Sequence, residues 1–183
     1  MGILKAHVLP IGATPVNVLQ SIQNGLIEAV PESQVMIIEG IMPLPREAYD
    51  ISRRQYNSTQ ILKKMINYLS KAEGEYLLGV TEVDLYVPNF NFVFGEATCP
   101  GRVSVISLFR LRPEFNKEAG NNQLFSQRAV KEAVHELGHM LGLEHDKNPS
   151  CVMFFSNSIT DTDRKNTAFC NDCHLLVHRA LEK

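Results

Sequence analysis

Three histidines and three acids fall within one short stretch, HELGHMLGLEHD at residues 135–146. In a helix, side chains four positions apart share a face, so His135 and His139 can direct two imidazoles at a single ion. Glu136 lies in the turn between them. From there it reaches a water on that ion rather than the ion itself, which is where a general base must stand. Gly142 is placed to end the helix, because glycine enters the left-handed conformation at little cost, and the returning chain brings His145 in as a third ligand. Three neutral nitrogens leave the fourth tetrahedral position to water, the arrangement of a catalytic zinc rather than a structural one. A histidine pair on a helix is commonly ordinary surface, but the five fixed positions HExxHxxGxxH together point to metal chemistry.

The bulk numbers are compatible with such an enzyme. A chain of 183 residues suits one domain with a real core, so no metal or disulfide is required merely to hold it together. Hydrophobic content of 44% and charged content of 21% are those of a soluble globular protein. A net charge of -2 argues against a nucleic-acid partner, and the pair Arg53-Arg54 reads as solvated surface. The start, MGILKAHVLPIGATP, lacks the features of a secretory signal, and no window is apolar enough to span a membrane. A cytoplasmic protein without a membrane partner, and a monomer, is the expectation. The four cysteines, at 99, 151, 170 and 173, cluster late and unevenly, which in a reducing compartment favours metal ligation over disulfides.

Elements that could position the motif follow from periodicity. Residues 3–9 read as a strand, Thr14-Pro15 as a helix start, and Val18, Leu19, Ile22, Leu26 and Ala29 as that helix's apolar face. A second strand at 34–40, closed by Gly40, completes a β-α-β unit and implies a parallel pair. Ser58 reads as the cap of a second helix carrying Ile61, Leu62, Met65, Ile66 and Leu69. Residues 75–81 supply a third strand, and NFNFVFGEA and RVSVISLFRL an antiparallel hairpin whose turn holds Cys99 as an unpaired thiol. A long helix at about 123–142 carries the motif, and a short last helix is expected near 172–181.

HELGHMLGLEH matches every fixed position of the metzincin metallopeptidases, which this chain therefore resembles. That resemblance makes Met153, in SCVMFF, the methionine of a tight turn forming a soft apolar floor under the imidazoles. The resemblance narrows to the archaemetzincins through SRRQYNST at 52–59, NFVFGEA at 91–97, VKEAVHELGHMLGLEH at 130–145 and the closing cysteines. It implies an α/β fold: a compact zincin domain over 1–183, with a twisted mixed sheet, backing helices and an active-site helix in 1–142. A small zinc-stabilised C-terminal part, 143–183, would hold the Met-turn and a second, structural zinc bound by four cysteines.

Here the sequence departs from that family. The residue after the third histidine is typically a cysteine of the second site, and in this chain it is Asp146. Cys151, Cys170 and Cys173 stand where the other three would be, and CNDC has the two-residue spacing zinc prefers. Three thiolates and a carboxylate make a feasible zinc sphere. His174 and Cys99 compete for the fourth place, and Asp146 could instead only cap its own turn.

The implied reaction is hydrolysis of a peptide or unfolded-protein substrate. Zinc would lower the pKa of its water toward ~7 and polarise the carbonyl, while Glu136 moves the proton to the leaving amine. Substrate would lie extended along an exposed edge strand near 91–95, where Glu96 and Asn91 read as edge or turn residues. All five tyrosines precede the motif, so a tyrosine after the Met-turn is absent, and Tyr56 or Arg53 would have to serve from the other wall. The alternatives are a zinc-binding scaffold or interaction protein without turnover, and a cysteine-rich tail that docks a partner.

Overall fold

The computed structural model describes residues 3–69 and 75–182. Strand β1 (Leu4–Ile11) leads through helix α1 (Val16–Ala29) to β2 (Ser33–Ile37), which pairs parallel to β1 with Val8 opposite Ile37. This is the expected β-α-β unit. Thr14 does not cap α1; Pro15 occupies the cap position in an extended conformation with no side-chain bond.

The next segment contains two short strands that periodicity did not reveal, β3 (Tyr49–Asp50) and β4 (Gln55–Asn57), before helix α2 (Ser58–Met65). Asn57, not Ser58, caps α2: its side-chain oxygen accepts from Gln60 N at 3.1 Å. Ser58 is thereby the first helical residue, fully buried. Of the expected apolar face, Leu69 packs against the cluster of Ile61, Leu62 and Met65, but the helix tightens into a 3-10 turn at Ile66–Tyr68 and leaves Ile66 exposed.

Strand β5 (Glu75–Thr81) adds parallel to the other side of β1. Short β6 (Leu85–Tyr86) joins β4 and β3 in a small three-stranded sheet, order β3-β4-β6. Then β7 (Gly95–Ala97) and β8 (Val103–Ser107) form the expected antiparallel hairpin, and β8 lies parallel to β5. The main sheet runs β2-β1-β5-β8-β7, which makes β7 an edge. Helix α3 (Asn122–Met140) is capped by Asn121, whose side chain accepts from Leu124 N at 3.0 Å. Gly142 follows with φ +90°, the left-handed turn expected of it.

A six-residue helix, α4 (Ile159–Arg164), was not foreseen; its Ser158 and Asp161 form a capping box. It docks on α3 through a buried guanidinium: Arg128 donates from Nε and Nη2 to the two Asp163 oxygens at 2.8 and 2.7 Å. Helix α5 (Asn171–Leu181) closes the chain.

Two apolar clusters sandwich the sheet. One joins α1 and α3 with Cys151–Met153, Cys173 and Val177, so the tail shares the core of the sheet domain. The other gathers α2 residues Ile61, Leu62 and Met65 with Leu77, Leu85 and Val105. Among the described residues, no helix is long and apolar enough to cross a membrane.

Candidate metal centres and cleft

His135 and His139 stand one turn apart on α3, and the turn at Gly142 brings His145 to them. His139 Nε2 lies 3.1 Å from His135 Nε2 and 3.2 Å from His145 Nε2. In the two helical histidines the other nitrogen is committed elsewhere. His135 Nδ1 lies 2.8 Å from Val152 O, and His139 Nδ1 lies 2.8 Å from Leu143 O. A carbonyl only accepts, so both Nδ1 atoms carry the proton and both Nε2 atoms present lone pairs. Lone pairs facing one another at 3 Å repel unless a cation lies among them, so the donor set fits zinc.

Met153 packs against α3 at Gly138, in the turn between His135 and His139, and its segment is fixed by its neighbours: Asp146 N donates to Met153 O at 3.0 Å. The floor closes because position 138 of the motif is glycine. A Cβ there would come 2.3 Å from Met153 Sδ.

Burial dominates the electrostatics. It holds His135 well below the ordinary histidine range and lowers His139 and His145, keeping all three neutral. Burial pushes the Glu136 carboxyl well above its ordinary range; Glu132 adds to this and Lys165 opposes it. Glu136 is 4% exposed, and its Oε2 has no hydrogen-bond partner among the described residues. Edge strand β7 approaches it so closely that a Cβ on Gly95 would lie 2.5 Å from Oε1.

A cavity of about 520 Å³ opens between β7, α3 and the chain after Met153, with the three histidines and Glu136 in its wall. The edge strand that borders this cavity is β7, at 95–97, slightly beyond the 91–95 expected from sequence, because Val93 is drawn away to donate to Leu85 O at 3.0 Å. Phe94 O accepts from Ser107 N at 2.8 Å and Thr98 N donates to Val103 O at 3.0 Å. By the alternation of an antiparallel ladder, the backbone groups of Gly95 and Ala97 then point away from the sheet.

Neither Tyr56 nor Arg53 lines this cavity. Tyr56 stacks on Tyr49 at 4.9 Å, while Arg53 Nη2 donates to Phe90 O at 2.8 Å and Asn91 O at 3.1 Å, bracing one rim. Glu96 is the expected edge residue, tied to α2 through Ser58 and through Thr59 at 2.8 Å. Sequence reasoning passed over Gly95, Phe155 and Glu132 as cavity residues. For Glu132 a signal existed: it lies one helical turn before Glu136.

The second cluster lies behind the first. Ligand atoms of Asp146, Cys151, Cys170 and Cys173 all fall within 4.8 Å of one another. Cys170 Sγ and Cys173 Sγ donate to Asp146 Oδ2 at 3.3 and 3.2 Å, and Cys170 N donates to Cys151 Sγ at 3.3 Å. Asp146 Oδ1 meanwhile accepts from Asn148 N at 2.6 Å, the bond that most lowers its carboxyl below the usual range. Burial raises the Cys170 thiol and, most strongly, the Cys173 thiol. All four cysteines are free thiols, and Cys99 lies outside the cluster beside Leu143 O. His174 faces His178, ring centroids 4.4 Å apart, and is not among the clustered ligand atoms.

An open three-histidine site on a HExxH helix, over a methionine floor and beneath a sheet edge, defines the metzincin class of zinc metallopeptidase. The model of peptidase family M54 matches residues 24–179, and the chain belongs to that family. It is 41% identical over 177 residues to the archaemetzincin of Methanocaldococcus jannaschii, covering 93% of this chain and 91% of that one. It is 42% identical over 169 residues to that of Pyrococcus furiosus, with 91% and 88% covered. The crystal structure of the Methanopyrus kandleri archaemetzincin superposes with a TM-score of 0.86 at 36% identity, over 98% of this chain and 96% of that one. The Archaeoglobus fulgidus archaemetzincin, complexed with malonate, gives 0.80 at 38% identity over 94% and 99%.

Proposed function

We propose that this zinc metallopeptidase hydrolyses peptide bonds at the three-histidine centre, with Glu136 as general base and His135, His139 and His145 as metal ligands. The observation that carries this reading is the convergence of three imidazole Nε2 atoms beside a buried, half-unpartnered carboxylate in the wall of one cleft.

Zinc bound there would supply a Lewis acid that polarises the scissile carbonyl and acidifies a water. The chain's residues do the rest. His135 and His139 are oriented by Val152 and Leu143 carbonyls, so no rotamer search precedes ligation. Glu136, in a site that disfavours its charge, takes a proton from water at Oε2 and passes it to the departing amine. Gly95 leaves room for that carboxylate and, with Ala97, offers backbone bonds to an extended peptide.

The second part of the reading is a separate structural zinc held by Asp146, Cys151, Cys170 and Cys173, giving two ions in a single domain over 1–183. Its carboxylate replaces the cysteine typical of the family, and the shared core of tail and sheet supports treating 143–183 as part of that domain. A monomer in a reducing, cytoplasmic setting is consistent with four free thiols.

The test is digestion of a mixed peptide library by the zinc-loaded protein and by Glu136→Gln. Cleavage by the wild type alone, with zinc retained in both, is the expected result. Zinc retention without cleavage by the wild type would instead favour a binding scaffold, and cleavage surviving Glu136→Gln would remove the glutamate from the mechanism.

A further inference from the structure

One buried ion pair in the cleft is not used by that chemistry. Glu132, 3% exposed, lines the cavity one turn before Glu136. Its Oε1 accepts a hydrogen bond from Thr162 Oγ1 at 3.1 Å and forms an ion pair with Lys165 Nζ at 3.0 Å, an ammonium that makes no hydrogen bond to any described residue. Lys165 is itself 1% exposed. No described residue engages the second oxygen, Oε2. Among the described residues lining the cavity are three carboxylates, Glu96, Glu132 and Glu136, and no lysine or arginine.

The side of the scissile bond on which Glu132 lies follows from the edge strand. Ala97 shares a hollow with His139 and His145, whereas Gly95 abuts Glu136, so β7 and α3 advance in the same direction past the metal centre. Glu132 therefore lies toward the Phe94 end of β7. A peptide added antiparallel to β7 runs from the Ala97 end to the Phe94 end. Its residue on the carboxyl side of the scissile bond then passes over Glu132, between Phe94 and the segment Phe155–Asn157.

We propose that Glu132, fixed by Lys165 and Thr162, is the specificity residue of this pocket, and that it selects a basic side chain, lysine or arginine, immediately after the scissile bond. The inference rests on the peptidase reading above. A carboxylate already immobilised through one oxygen adds a charge-assisted bond through the other with little ordering cost. The Phe94 and Phe155 rings cover the aliphatic stem of such a side chain, as long cationic side chains require. An acidic residue there meets a wall of carboxylates with no described lysine or arginine facing the cavity, and is rejected.

The test uses zinc-loaded Glu136→Gln protein, so that binding is read without turnover. N-acetylated tetrapeptides of an otherwise uniform alanine sequence carry lysine, leucine or glutamate at the third position, and calorimetry gives their dissociation constants. Lysine should bind about tenfold tighter than leucine, with glutamate weakest, and Glu132→Gln should bring the three within about twofold. If Glu132→Gln leaves Lys165 unpaired and fails to fold, Glu132→Gln combined with Lys165→Met supplies the same comparison with both charges removed. Equal binding of the three peptides, or a preference surviving loss of Glu132, overturns the proposal. In the wild type, library cleavage should fall before lysine or arginine; cleavage after them overturns it too. Lysine selectivity without wild-type cleavage would leave the pocket assignment standing while the catalytic reading fails.

Discussion

Gly138 and Met153 are fitted to each other: a Cβ at 138, in the turn between His135 and His139, would lie 2.3 Å from the methionine sulfur. The residue between the two helical histidines is thus set by the turn that floors them. Mid-helix glycine ordinarily costs about 0.5–1 kcal/mol relative to alanine. Here overpacking outweighs that gain. Gly138→Ala should lose on the order of 1–3 kcal/mol in urea unfolding and loosen the catalytic metal, and a stabilised variant with unchanged zinc affinity would contradict the fit.

Glu136 gives a pH signature besides its effect on rate. Burial raises its folded-state pKa above the unfolded value, so its favourable contribution is full below the ordinary carboxylate range and is lost as pH rises through the raised value. Metal-free Glu136→Gln should therefore be more stable than metal-free wild type at about pH 8, by on the order of 1–3 kcal/mol, and the difference should vanish in acid. Histidine contributions cancel in this comparison. Equal stability at alkaline pH would mean that the carboxylate is not desolvated as described. With zinc bound, the same variant should lose activity by about 10²–10⁴-fold in peptide cleavage assays.

Protons and metal compete differently at the two centres. His135, His139 and His145 are neutral down to lower pH than exposed histidines, so proton competition at that centre begins only below the ordinary histidine range. Cys170 and Cys173 are held protonated, so their deprotonation must accompany zinc binding at neutral pH. Calorimetry of zinc binding to His139→Ala, repeated in buffers of different ionisation enthalpy, should detect about two or more protons released per zinc. Release of none would separate the thiols from the metal.

Much of this was legible before the fold. The 3.6 spacing of α3 placed His135, Glu136 and His139, and Gly142 announced the turn that returns His145. The hairpin and the parallel β1-α1-β2 unit followed from alternation and from crossover length. What stayed hidden depends on contacts distant in sequence. Asn57 took the cap of α2 because Ser58 was drawn to Tyr86 O and Glu96. Helix α4 is too short to show periodicity and is held by Arg128 and Asp163, 35 residues apart. Glu132 carried a signal in its spacing from Glu136, but its partner Lys165 lies beyond the Met-turn, so the ion pair that anchors it could not be read locally.

Asp146 tests the departure from the family. Asp146→Ala removes one donor from the cysteine cluster and should weaken zinc there by about tenfold or more, while Asp146→Cys should tighten it, thiolate being the softer and commoner ligand. Competition with a chromophoric chelator measures both. Identical affinities in all three proteins would return the aspartate to its turn, where it already accepts from Asn148 N.

The central claim is that adjacent residues, His145 and Asp146, serve different ions. Zinc content per chain, measured by mass spectrometry on wild type, His139→Ala and Cys170→Ala, tests it most directly. About two zinc ions in the wild type, falling to about one in each variant, is the result this account predicts. A single zinc lost only with the histidine, or lost equally in both variants, would contradict two separate centres.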